Sequence, residues 1–255
     1  MTLTMTLMIA IFLIAIFCEF VDASLGMMYG TILSPVLILF GIPVSDVVPA
    51  ILISQALGGL IASFRHSHYG NIKLKEKDNH DFKIAMTIFL FGLVAVVAGA
   101  FVSVSIPKEY LRMYIGILVL IMGAIVLINR KFKFNWKKIY FIGFLSSFNK
   151  AMSGGGFGPL VSTGLIVSGK ESKSSIGITD MAEVPICLAG FVAWIIFNGV
   201  SVLNIWLAAI LCVGSMIGAF IGPYLTYKVN EKYLKISVGI LAVLLGVLCI
   251  FGSKI

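Results

Sequence analysis

Residues 149–159 read Asn149, Lys150, Ala151, Met152, Ser153, Gly154, Gly155, Gly156, Phe157, Gly158, Pro159, and they interrupt a long apolar run over 139–168. Three consecutive glycines and a proline cannot continue an ordinary helix there. A lysine stands beside them in an otherwise apolar stretch. Inside a bilayer, backbone that is not helical is tolerated only where it is buried in protein or lines a cavity. The break therefore demands that the rest of the chain be packed around it.

Composition places the run in a membrane. The 255 residues are 60% hydrophobic and only 12% charged, and the mean hydropathy is +1.08. A soluble domain carries about 25% charged residues, so this chain cannot cover a water-facing surface. Its length suffices for roughly ten apolar segments of about 20 residues, with no room for a separate soluble domain. The net charge of +8 does not point to nucleic acid, because the basic residues lie in loops between apolar segments. The four cysteines, Cys18, Cys187, Cys212 and Cys249, fall in apolar runs without ligand spacing and read as buried small hydrophobes. The first twenty residues lack a basic n-region and do not read as a cleaved signal peptide.

Apolar segments are expected at 3–20, 29–40, 47–64, 84–106, 110–128, 139–148, 157–167, 176–197, 205–227 and 233–251. The segments at 29–40 and 157–167 are too short to span as helices. The two halves match in order. Gly26 and Gly30 align with Gly154 and Gly158, Ser34 with Ser162, and Gly41 with Gly169. Farther on, Gly99 meets Gly218, Tyr110 meets Tyr233, and Gly116 and Gly123 meet Gly239 and Gly246. An ordered series along the whole chain marks an internal repeat. The division is a first transmembrane repeat at 1–128, including a basic loop at 65–83, a basic linker at 129–138, and a second repeat at 139–255.

Charge then sets the topology. With five segments per half the repeats are inverted. With the N-terminus outside, the loops at 65–83, 129–138, 170–175 and 228–235 fall inside, and they hold fifteen of the nineteen Lys and Arg residues. That is the positive-inside asymmetry. The expected fold is an all-α polytopic membrane protein of two inverted five-segment repeats in the cell membrane, broken at 22–30 and 150–158, with both termini extracytoplasmic.

Two copies of a break of the form Gly-x-x-aromatic-Gly, each followed by a short segment and a glycine turn, resemble the sulfite exporter TauE/SafE family, also called the TSUP transporters. Here the copies are Gly26, Met27, Met28, Tyr29, Gly30 and Gly154, Gly155, Gly156, Phe157, Gly158. The resemblance covers essentially the whole chain. It implies transport of a small sulfur-containing anion such as sulfite, thiosulfate or sulfoacetate. Met27 and Met28 depart from the glycine triplet, so the first break would approach a ligand with side chains.

The candidate site follows from the residues. Gly154, Gly155 and Gly156 would turn backbone N–H groups toward an anion, helped by the positive end of the half helix starting near Phe157. Close packing by small residues is the other role open to them. Lys150 would neutralise the anion, although snorkelling toward the basic linker or a structural pair with a carboxylate would also explain it. Asn149, Ser153, Gly26 and Tyr29 complete the expected substrate contacts. Ser34, Ser162 and Thr163 could donate to an oxyanion or satisfy freed carbonyls. Asp22 occupies the repeat-related place of Lys150, and Gln55 that of Glu183. Asp22 and Glu183 are the candidates for proton coupling, whereas Glu19 and Asp180 read as charge pairs or caps. His66, His68 and His80 read as an exposed polar loop, not a metal site. No nucleotide-binding loop, HExxH or GxSxG is present, so neither an enzyme nor a cofactor is expected. Broken helices around a midplane site fit a secondary transporter working by alternating access. A passive anion channel, and a membrane scaffold without a ligand, are the alternatives. The expected partners are a small anion and the lipid bilayer.

Overall fold

The computed structural model describes residues 5–73, 80–102, 108–128, 134–199 and 204–251. Among them are ten helices, in order α1 Met5–Leu25, α2 Tyr29–Leu39, α3 Val44–His68, α4 His80–Val102, α5 Lys108–Leu127, α6 Trp136–Ser153, α7 Phe157–Val167, α8 Ser172–Asn198, α9 Ile205–Lys228 and α10 Glu231–Phe251. No strand occurs among the described residues. Five helices (α1, α3, α4, α8 and α9) are long and apolar enough to cross a membrane. Large apolar side chains face outward, as a bilayer requires. On α1, Ile9, Leu13 and Phe17 are exposed at a spacing of four, while Ile11, Ala15 and Cys18 are buried on the opposite side.

The two short helices, α2 and α7, have 11 residues each. At about 1.5 Å per residue each is roughly 16 Å long, half of a hydrocarbon core. Both end in the same way. Gly41 and Ile42 donate to Ile38 O and Leu37 O, and Gly169 and Lys170 donate to Ile166 O and Leu165 O. Each is the closure by which a glycine just past a helix end satisfies its last carbonyls. The packing respects the same exchange of halves. α1 packs on α9 as α6 packs on α4, α3 packs on α9 as α8 packs on α4, and α3 meets α8, as α5 meets α10, across the centre.

The helices run farther than the apolar segments suggest. α1 continues through Glu19 and Asp22 to Leu25, and α6 through Lys150 to Ser153. Each break is thereby reduced to three residues, 26–28 and 154–156. α3 extends to His68 because its polar last turn lies at an end of the bundle, where Arg65 rests over the rings of Phe220 and Tyr69. α8 starts at Ser172, and Thr179 and Asp180 lie inside it and do not end a turn.

The described residues flanking the basic segments gather at that same end. Lys170 pairs with Asp81 at 2.6 Å. Lys173 Nζ donates to Tyr227 O at 2.7 Å, and Glu231 accepts from Ser172 N at 2.5 Å. His80 lies against Phe134 and Trp136. So α3 and α9 end where α4, α6, α8 and α10 begin.

Candidate functional site

Gln55 and Glu183 stand near the midpoints of α3 and α8, and the last turns of α1 and α6 reach them there. Lys150 is 1% exposed. Its Nζ donates to Glu183 Oε1 at 2.6 Å and to Gln55 Oε1. Gln55 Nε2 donates to the same Glu183 oxygen at 3.1 Å and faces Asp22 Oδ2 at 3.5 Å. Asp22 Oδ1 accepts from Tyr29 N at 2.9 Å and so caps α2 across the break. The result is a buried row, Asp22, Gln55, Glu183, Lys150.

The chemistry at the two ends differs. Lys150 lies in the last turn of α6, where a cation meets the negative end of the helix dipole favourably. At the related place on α1 stands Asp22, a carboxylate, and the last turn of α1 has no basic residue. One helix N–H, from Tyr29, offsets this in part.

The breaks themselves cross in contact. A Cβ on Gly30 would collide with Gly154 O, and one on Gly158 would fall 2.5 Å from Gly26 O. A Cβ on Gly155 would fall 2.7 Å from Gly30 O. Glycine is required here because two backbones pass where a side chain would sit. Gly154 and Gly156 also have φ of 75° and 79°. In the first break Met28 takes φ of 140°, in a region that L residues rarely adopt.

Each N–H of the triplet is engaged within the protein. Gly154 N donates to Lys150 O at 2.8 Å, Gly155 N to Ser153 Oγ at 3.2 Å, and Gly156 N to Thr31 Oγ1 at 3.2 Å. Ser34 Oγ donates to Ser153 O at 2.8 Å and Ser162 Oγ to Gly26 O at 2.7 Å. Thr163 donates to Pro159 O. The Ser34 and Ser162 hydroxyls serve carbonyls freed at the breaks, whereas Thr163 bonds back to a carbonyl one turn earlier within α7. Tyr29 and Phe157 are fully buried and enter two different apolar clusters. The Tyr29 hydroxyl pairs with Ser54 at 2.9 Å. Neither ring reaches the Lys150 row through a hydrogen bond. Asn149 differs from all of these. It is fully buried, yet neither its oxygen nor its nitrogen has a hydrogen-bond partner among the described residues.

Sequence reasoning placed His66 in an exposed loop, and the structure corrects this. His66 is fully buried on α3, with Nε2 3.0 Å from both Ala23 O and Asp180 Oδ2. Asn71 Nδ2 donates to Pro223 O at 3.0 Å, which orients the amide, and meets His66 Nδ1 at 2.9 Å. Nδ1 is thus an acceptor and the single ring proton sits on Nε2, facing Ala23 O. The signal was available. Gln55, Gly59, Ala62 and His66 follow helical spacing on one face, and all four are buried. His68 and His80 are exposed, as expected of a loop flank.

The sequence model of the sulfite exporter TauE/SafE family matches residues 11–249. The probable membrane transporter protein YdhB of Bacillus subtilis (strain 168) is 25% identical over 260 residues, covering 97% of this chain and all of that protein. The probable membrane transporter protein YtnM of the same organism is 24% identical, covering 89% of this chain and 77% of the relative. No solved structure matches. With two half-length helices following the breaks, and a family match over nearly its whole length, the chain belongs to the sulfite exporter TauE/SafE family of membrane transporters.

Proposed function

We propose that this transporter exports a small sulfur-containing anion, such as sulfite, thiosulfate or sulfoacetate, by alternating access around the crossing of its two breaks. The observation that carries the reading is Lys150, a fully buried ammonium held at that crossing by Glu183 and Gln55. A buried ion pair seldom adds net stability over apolar residues of the same volume, so stability alone does not account for the lysine. In this conformation Lys150 and Glu183 are closed to both sides, which fits an occluded state better than an open pore. To bind an anion, Lys150 exchanges Glu183 for the substrate. Asn149 and Ser153 donate to the oxyanion, and the N–H groups of Gly155 and Gly156 become available when Ser153 and Thr31 release them. Gly26, Gly154, Tyr29 and Phe157 shape the crossing. Asp22 and Glu183 take up the compensating positive charge. The two halves, 1–128 and 139–255, then move as inverted repeats on either side of the site. The face that gathers the basic loops is the cytoplasmic one, which puts both termini outside the cell membrane.

Asn149 separates this reading from a purely structural one. A buried amide with no partner destabilises a fold, so Asn149→Leu is expected to leave thermal stability unchanged or raise it. If the amide meets the substrate, the same change removes a hydrogen bond to a charged group, worth about 1.5–3 kcal/mol. Anion affinity then falls roughly tenfold or more. A thermal-shift screen of purified protein with sulfite, thiosulfate, sulfate, sulfoacetate and chloride measures both. Retained affinity in the variant would remove Asn149 from the site. In proteoliposomes, saturable flux with trans-stimulation supports alternating access, and flux that does not saturate supports a channel.

A further inference from the structure

We propose that Asp22, Asp180 and Glu183 form a binding site for a hard monovalent metal cation of sodium size, bound together with the anion. The proposal rests on the transporter reading above and names the charge that accompanies the substrate. Each of the three carboxylates offers one oxygen, and these oxygens lie within 4.8 Å of one another. They come from α1 and α8, and all three residues are at most 5% exposed.

Two buried oxygens around this cluster lack partners. Asp180 Oδ2 has no hydrogen bond, because the one proton of His66 is directed to Ala23 O. Glu19, one helical turn before Asp22 on the same face, is 2% exposed and its Oε2 is also unpartnered. Its carboxyl packs against Gly58 of α3, one turn beyond Gln55. A buried carboxylate oxygen without a donor is costly and calls for a compensating positive charge.

Charge and helix ends point the same way. The groups that face the cluster are Glu19 and Asp22 from α1, Gln55 and neutral His66 from α3, Lys150 from α6, and Asp180 and Glu183 from α8. Among them four carboxylates face one ammonium. The last turn of α1 adds the negative end of a helix dipole and carries no basic residue, where the related turn of α6 carries Lys150. A cation beside Asp22 would restore on one half what Lys150 supplies on the other. Three oxygens within 4.8 Å of one another suit the short metal–oxygen distances of a small hard cation, whose remaining ligands would be backbone carbonyls or water.

The arrangement also couples the two ligands. While Lys150 pairs with Glu183, one carboxylate of the three is satisfied from within. When an anion draws Lys150 away, Glu183 is freed toward Asp22 and Asp180. Anion binding therefore strengthens cation binding, and by linkage the cation strengthens anion binding by the same factor.

The test compares purified wild-type protein in NaCl, KCl and choline chloride at constant ionic strength, with and without sulfite or thiosulfate. Sodium, and potassium to a smaller extent, is expected to raise the melting temperature by roughly 5 °C at saturation and to tighten anion binding roughly tenfold relative to choline. Asp180→Asn keeps the shape and removes one ligand charge. It is expected to abolish the metal effect while binding the anion in choline as wild type does. Should that variant not fold, the wild-type comparison of metal salts with choline decides alone. Equal behaviour in all three salts would overturn the cation site. So would anion binding that responds to pH but to neither metal ion, and that result would leave the transporter reading standing. Metal stabilisation without binding of any sulfur oxyanion would support the cation site and overturn the transporter's proposed substrate.

Discussion

Replacing Lys150 by methionine is expected to destabilise the protein by about 3–5 kcal/mol and to abolish anion binding. The stability loss comes from the partner left behind. Glu183 is 3% exposed and retains only the Gln55 amide once the ammonium is gone. The double variant Lys150→Met with Glu183→Gln removes both charges, so it should recover most of the lost stability, because a buried ion pair replaced as a whole is often neutral. It should not recover anion binding. Thermal unfolding in detergent, with the anion screen run on each variant, reads the two effects separately. A single variant as stable as wild type would mean that the pair is not the buried contact described. A double variant that binds anions normally would move the substrate site away from Lys150.

The second large effect is at the crossing of the breaks. Gly30→Ala and Gly158→Ala each drive a methyl into a backbone carbonyl of the other half, Gly154 O and Gly26 O respectively. Backbone cannot rotate aside as a side chain can, so each change is expected to cost about 3 kcal/mol, the upper range for overpacking. Gly154→Ala is the control. Its Cβ would meet only Ile51, at 3.6 Å. Its cost is the strain of φ 75° alone, about 1–2 kcal/mol. The expected order of melting temperatures is therefore wild type, then Gly154→Ala, then Gly30→Ala and Gly158→Ala together near the bottom. If Gly154→Ala proved the most harmful of the three, conformational freedom and not close approach would be what the glycines provide. Transport by the two crossing variants should fall along with stability, since the halves are held apart where they must meet.

These outcomes bear on what each glycine does. From sequence, the triplet 154–156 reads as a loop of free N–H groups. The structure occupies each of those N–H groups with Lys150 O, Ser153 or Thr31. It adds a requirement the chain order does not display, because Gly30 and Gly154 are 124 positions apart. An anion that uses the loop has to displace the two hydroxyls, and the ease of that exchange becomes part of selectivity.

The sequence by itself determined the membrane class, the positions of the segments, the two breaks and the family, because apolar runs and glycine clusters act locally. Hydropathy excludes water whatever the partner, and a glycine triplet ends a helix wherever it lies. It also aligned Asp22 with Lys150 and Gln55 with Glu183, since matching one half of the chain to the other needs only chain order. Only the tertiary structure decided which of these polar groups meet. Lys150 could equally have reached the basic linker, and its pairing with Glu183 depends on α6 ending level with the middle of α8. His66 was lost among loop residues because a charged neighbour, Arg65, masks the buried face that continues beneath it. Asp180 and Glu19 read as ordinary pairs or caps, and became the unsatisfied oxygens of an acidic cluster once α1, α3 and α8 were packed together. Burial and partnership depend on what lies across the bundle, and one chain segment carries no record of its neighbour.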